Sequence, residues 1–239
     1  MRRLSLLVTP LLVCAAGFAQ SDLPHFGIGV DMSTLGAGIQ AATAVTHKSN
    51  VRVGFNYFTY SRDFTKDGIN YNGELQLRSF EILYDQYLFG GLHVSPGLLA
   101  YNGNRGTATA AVPGGQQFSL GGTSYTSAAA APVTGTGNVN LGTASPMVLI
   151  GVGNLLPRST RHFTVNFDVG AVFQRAPQAT LNLNGSVCNP AIPAPCTPIA
   201  VSAVPGLQTD VQNEQNKINK SLNFFRYYPV ISLGFGYKF

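Results

Sequence analysis

His93 and Ser95 stand two residues apart, a spacing that sets both side chains on one face of a strand and joins a general base to a nucleophile in hydrolytic sites. Against that chemistry, both follow directly on a short turn, Phe89 to Gly91, and share the parity of the inward positions of their strand. The chain therefore reads as no enzyme. His25, His47 and His162 fall at strand ends or turns, no spacing describes a zinc or calcium site, and the glycine patterns lack the strand and helix of a phosphate-binding loop. No metal and no cofactor are expected.

The other residues with chemistry to offer are ionic. Arg52, Arg78 and Lys238, with Asp31, Glu74, Glu81, Asp85 and Asp168, occupy positions between the apolar ones in strongly alternating segments. Turned toward one narrow interior, charges of both signs must pair, because an isolated buried ion is very costly. This set reads as a salt-bridged plug; the competing reading is a selective pathway for a small polar solute. Cys188 and Cys196 flank the Pro-rich run 189–195, and in an exported chain such a close pair forms one local disulfide.

Export is read from the amino terminus. Met1, Arg2 and Arg3 precede an apolar run from Leu4 to Ala16, followed by Gly17, Phe18 and Ala19, which describes a signal peptide over 1–19 and a mature domain over 20–239. Its loss removes Arg2 and Arg3 from the 15 basic residues that face 10 acidic ones. No Lys/Arg cluster remains to track phosphates, so nucleic acid is not a partner. Only 10% of residues are charged, and beyond the leader no apolar run is long enough for a membrane helix.

What positions the charges is a period of two. Ile231, Leu233, Phe235, Tyr237 and Phe239 alternate with Ser232, Gly234, Gly236 and Lys238, and Phe163, Val165, Phe167 and Val169 alternate with Thr164, Asn166 and Asp168. Such strands have lipid on one side and a polar lumen on the other. The phase flips twice. Leu75 and Leu77 against Phe80 and Ile82 predict a β-bulge near Arg78 and Ser79, and Met32 against Ala37 predicts a hairpin around Thr34 and Leu35, the alternative being one long bulged strand. With the hairpin, strands fall near 25–33, 36–46, 50–62, 69–89, 92–104, 143–156, 162–176 and 222–239. The predicted fold is all-β, an eight-stranded antiparallel transmembrane β-barrel with short periplasmic turns and long extracellular loops. Aromatic girdles are expected from Tyr57, Phe58 and Tyr60 at one end and Tyr84, Tyr87 and Phe89 at the other. The Gly/Ala/Thr-rich loop 105–142 fits either strands extended above the membrane or a mobile segment, and the polar run from Thr209 to Ser221 in loop 177–221 fits a short surface helix.

The glycines of the first hairpin, Gly27, Gly29, Gly36 and Gly38, and the closing Gly234, Gly236, Tyr237 and Phe239 give the chain its resemblance to small outer-membrane β-barrel proteins, broadly the OmpA-like, OmpW-like and porin-like families, over residues 24–239. That resemblance implies location in the cell outer membrane, with outer-membrane lipids around it. It also implies that Phe235, Tyr237 and Phe239 form the signal read by the barrel assembly machinery. The role it implies is structural, or limited passage of small solutes. The alternative is surface adhesion or recognition of a partner through loops 105–142 and 177–221.

Overall fold

The computed structural model describes residues 26–66, 68–142, 144–189 and 195–239. The leader expected over 1–19 lies outside them, as does His25. Among the described residues the chain is all-β apart from one α-helix and two short 3-10 turns. In order it forms β1 (Gly27–Ser33), β2 (Gly36–Thr46), β3 (Ser49–Lys66), β4 (Ile69–Phe89), β5 (Leu92–Asn102), β6 (Arg105–Val112), β7 (Gln117–Leu120), β8 (Thr123–Thr126), β9 (Val133–Asn140), β10 (Ser145–Val152), β11 (Phe163–Phe173), β12 (Gln178–Asn184), β13 (Ser186–Cys188), β14 (Pro198–Ala200), α1 (Pro205–Leu222) and β15 (Tyr227–Lys238). Among the described residues no helix is long and apolar enough to cross a membrane.

All pairings in the main sheet are antiparallel. They run β4–β3–β2–β1–β15–β11–β10–β5, and β5 also pairs with β4, so the sequence of pairings returns to its first strand. Residues 27–46 are a hairpin turning at Thr34 and Leu35, with Gly36 at φ +124°, where a side chain would be strained and would meet the Tyr57 backbone. The predicted bulge near Arg78 and Ser79 is absent: β3 and β4 keep one register from Ser49↔Gln86 to Lys66↔Ile69. The irregularity at this level belongs instead to β5, where Phe80 pairs with Tyr101 and Glu81 with Leu99, leaving Ala100 as the extra residue. Leu77, on the parity of Ser79 and Glu81, is therefore buried on the inner side.

Around this ring of pairings the two faces are inverted relative to a soluble sheet. Val30, Met32, Ile39, Ile82, Ile150, Val165, Ile231 and Phe235 are exposed on the outer face, while Asp31, Arg52, Glu81, Asp85 and Asp168 are buried on the inner one. Tyr87, expected in a girdle, is an exception to the outward aromatics; it is buried and accepts a hydrogen bond from Asn50 Nδ2 at 3.2 Å.

β3 and β4, 18 and 21 residues long, outrun β2 and β5, 11 residues each, and continue into a lobe. There β4 exchanges β5 for β6, and β9 and β12 extend the sheet sideways. Asparagines close the fork: Asn104 Oδ1 accepts from Arg78 N at 2.6 Å, and Asn102 Nδ2 donates to Leu141 O at 3.3 Å and Gln174 Oε1 at 3.1 Å. The loops 105–142 and 177–221 are thus mostly ordered structure around a second core of Ile69, Val112, Val133, Val187, Leu207 and Val211. The helix starts at Pro205, four residues ahead of the polar run, because Leu207 and Val211 give it a face to bury. It also shields the sheet edge, with Asn219 Oδ1 and Gln215 Oε1 accepting from Ala179 N and Leu181 N of β12 at 2.7 and 3.0 Å. Cys188 and Cys196 form a disulfide beside β13 and β14.

Tyr125 Oη donates to Asp210 Oδ2 of α1 at 2.8 Å, and burial, then the adjacent carboxylate, raises this phenol above its ordinary pKa. A raised folded-state pKa contributes stability in full below the unfolded value of about 10 and loses it as pH climbs through the folded value. The contact should therefore hold at neutral pH and weaken only in strong alkali. Tyr125→Phe is expected to cost about 1 kcal/mol, read as faster limited proteolysis of 105–142 and 177–221 at pH 7, and to erase the alkaline loosening.

Candidate functional site

The side chains with chemistry converge on the inner face of the main sheet. Arg52 on β3 is only 2% exposed and reaches across the interior: Nη2 donates to Asp85 Oδ1 of β4 at 3.0 Å and Nη1 to Asp168 Oδ2 of β11 at 2.9 Å. A longer bond joins Nη1 to Gln40 Oε1 at 3.4 Å. Each carboxylate has further donors. Asp85 Oδ1 accepts from Ser95 Oγ at 2.6 Å, and Asp168 Oδ2 accepts from Asn166 Nδ2 at 3.1 Å. His93 Nε2 lies 2.8 Å from Asp168 Oδ1 and His93 Nδ1 lies 3.1 Å from Gly91 O. Both ring nitrogens of His93 thus face oxygen atoms.

His93 and Ser95 bond to different carboxylates rather than to each other, and both are sealed from solvent. Among the described residues, no group of three or more His, Cys, Asp and Glu side chains is placed to hold a metal ion.

Of the eight charges predicted for this interior, the structure brings five together. Asp31 and Glu81 border the same small space as Arg52 and Asp168, a cavity of about 10 Å³ with room for about one water. Asp31 Oδ2 accepts from Ser232 Oγ at 3.3 Å, whereas Oδ1 has no partner. The other three lie elsewhere. Glu74 and Arg78 share the parity of the outward Ile82 and Tyr84 on an unbroken β4, so both face outward, and Arg78 sits 5.9 Å from the ring of Tyr101. Lys238 is at the rim, where its Nζ donates to Pro157 O at 3.2 Å and to Ser159 O.

Glycines on neighbouring strands make the room. A Cβ at Gly38 would run into Asp31 and Asn56, one at Gly54 into Glu81, and one at Gly151 into Asp168 and His93. Apolar layers close the network from both sides. Toward the lobe, Leu35 drops from its turn onto Leu83, Leu99, Met147, Leu149, Val172 and Val230. Toward the short turns, Leu155 and Leu156 of the β10–β11 connection fold inward against Ala42, into space left by Gly27, Gly29 and Gly236. Arg158 straps this connection to the β2–β3 turn, donating to Thr46 O, Ser49 O and Asn50 Oδ1 at 2.7, 3.2 and 2.8 Å. Neither the strap nor the inward leucines carry a sequence signal, because the connection has no period. Gln40, Asn166 and Ser232 were findable, since they share the inward parity of Asp31 and Asp168.

No family model matches the chain, and no curated protein matches it. Similar solved structures include two from one organism. The crystal structure of Acinetobacter baumannii CarO superposes with a TM-score of 0.56 at 18% identity, over 89% of this chain and 97% of that one. The crystal structure of Acinetobacter baumannii CarO2 gives a TM-score of 0.55 at 16% identity, over 91% and 99%. The likeness shows the fold.

Arg52→Ala should strand two carboxylates and cost about 3 kcal/mol, measured as a lower Tm of the detergent-solubilised protein. Arg52→Lys should recover part of this, since one ammonium cannot bridge carboxylates on two strands as a planar guanidinium does. An unchanged Tm in the alanine variant would refute the role given to the network.

Proposed function

We propose that this chain is an integral outer-membrane protein, a closed eight-stranded β-barrel filled across its middle that carries a folded lobe outside the cell. The observation that carries the reading is the inversion of faces, with an apolar band exposed outward and an ion network buried within. A soluble domain rarely exposes an apolar patch of more than a few hundred Å², and hydrocarbon is the solvent that makes this band favourable. Hydrocarbon also forbids unpaired backbone groups, which a ring of pairings returning to its own first strand answers. The fold shared with CarO and CarO2 supports the same architecture.

In this orientation the connections 47–48, 90–91 and 153–162 are periplasmic and the lobe is extracellular. The closing Phe235, Tyr237 and exposed Phe239 serve as the signal for the barrel assembly machinery, after a leader over 1–19 has directed export. Leu35 with its neighbours, the Arg52 network, and Leu155 with Leu156 stand as three successive barriers to solute. The role they favour is structural, a stable filled barrel presenting its lobe, over passage of solutes. Recognition through the lobe is a second reading, favoured by the separate apolar core that orders it.

Sodium carbonate should leave the protein in the membrane fraction, and the purified protein should give no steady current in a planar bilayer. Release by carbonate overturns the membrane reading, and a steady native current overturns the filled interior.

A further inference from the structure

The outer face of β4 changes character along its length. Tyr84, Ile82 and Phe80 belong to the apolar band; Arg78 follows, exposed beside Tyr101 and paired across to Tyr57; then come Gln76, Glu74, Asn72 and Asn70. Because β3 and β4 stay in register, this is one continuous face.

Sideways, the same face widens. Gln76 pairs with Arg105, Arg105 with Asn140, and Asn140 with Gln178, a row of four side chains across β4, β6, β9 and β12. The next rows are Glu74, Thr107, Asn138 and Thr180, then Asn72, Thr109, Thr136 and Asn182. In β12 the alternation is complete: Gln178, Thr180, Asn182 and Asn184 are exposed, while Ala179, Leu181 and Leu183 turn toward α1. The result is a wall of hydroxyl and amide groups, spaced roughly 4.8 Å between strands and about 6.8 Å along them. Arg78 and Arg105 stand where wall and apolar band meet. Their guanidinium groups have no ion pair or hydrogen bond among the described residues. The two carboxylates on the wall lie farther from the band, and Asp63 is engaged by Asn72 Nδ2 at 2.6 Å.

Hydrocarbon contact, then two arginines, Arg78 beside tyrosines and Arg105 beside amides, then an array of hydroxyl and amide groups that includes the carboxylates of Glu74 and Asp63 follow one another in a single direction on one surface. We infer that the outward face of β3, β4, β6, β9 and β12 docks a phosphorylated glycolipid of the outer leaflet, with its acyl chains on the apolar band, its phosphates on Arg78 and Arg105, and its sugars on the polar wall. Arginine suits the middle position because its planar fork binds phosphate oxygens bidentately. Side-chain amides and hydroxyls suit the upper one, since each offers a donor and an acceptor to sugar hydroxyls. A protein adding a strand is disfavoured, because α1 already occupies the amide groups of the β12 edge.

This inference rests on the membrane reading, and the experiment separates the two. The detergent-solubilised full chain would be titrated with bisphosphorylated lipopolysaccharide, its dephosphorylated form, phosphatidylglycerol and delipidated core oligosaccharide, with binding read by native mass spectrometry. Flotation with vesicles would be scored in parallel. The expected result is one retained lipopolysaccharide, held at least tenfold more tightly than the dephosphorylated form or phosphatidylglycerol, with that preference lost in R78A/R105A while flotation and Tm are unchanged. Replacing Thr107, Thr109 and Thr136 by Val should weaken binding of lipopolysaccharide but not of phosphatidylglycerol. Equal retention by R78A/R105A, equal binding of phosphatidylglycerol, or core oligosaccharide binding as tightly as the whole glycolipid would overturn the inference. Failure to float would overturn the membrane reading instead.

Discussion

Everything inside the ring of strands is arranged around one guanidinium. Arg52 holds Asp85 and Asp168, on strands from different parts of the chain, and those carboxylates in turn hold Ser95, His93 and Asn166. Two buried anions and the cation between them are held by these added hydrogen bonds to the carboxylates, while Arg52 Nε and Asp31 Oδ1 have no hydrogen-bond partner. The network's requirement propagates outward. Asp31, Glu81 and Asp168 need volume, so the adjacent strands carry Gly38, Gly54 and Gly151 where a side chain would collide.

The same interior explains why the ends are capped by apolar groups rather than water. Leu35 on one side and Leu155 with Leu156 on the other keep the network in a low-dielectric layer, where charge pairing is strongest. Their placement uses the two connections least regular in sequence, a two-residue turn and a loop strapped by Arg158. A polar middle between greasy ends resembles a soluble core turned inside out, and the exposed band around it completes that inversion.

Above this level the constraint changes from pairing charge to ending a sheet. β4 leaves β5 for β6, and the exposed edge that an extended sheet creates is covered by amide side chains of α1. The lobe therefore has a packed side and an open side with distinct chemistry. Its open side continues the outer surface of the ring without a break in register, so lipid-facing and solvent-facing chemistry lie on one sheet.

Alternation along the chain by itself determined where the long strands run and which parity carries the charge, because a period of two admits no other regular conformation that segregates the two classes. The tight hairpin over residues 27–46 and the cysteine pair were likewise legible from local spacing. Only the tertiary structure decided which charges meet. Glu74 and Arg78 were assigned inward because two leucines break the phase of β4, yet that strand runs straight and the bulge sits at Ala100 on its neighbour. His93 found its role as a partner of Asp168, 75 residues away. The lobe, the inward leucines and the Arg158 strap were invisible for the same reason: they are fixed by contacts between segments far apart in the chain, and local periodicity contains no record of such distances.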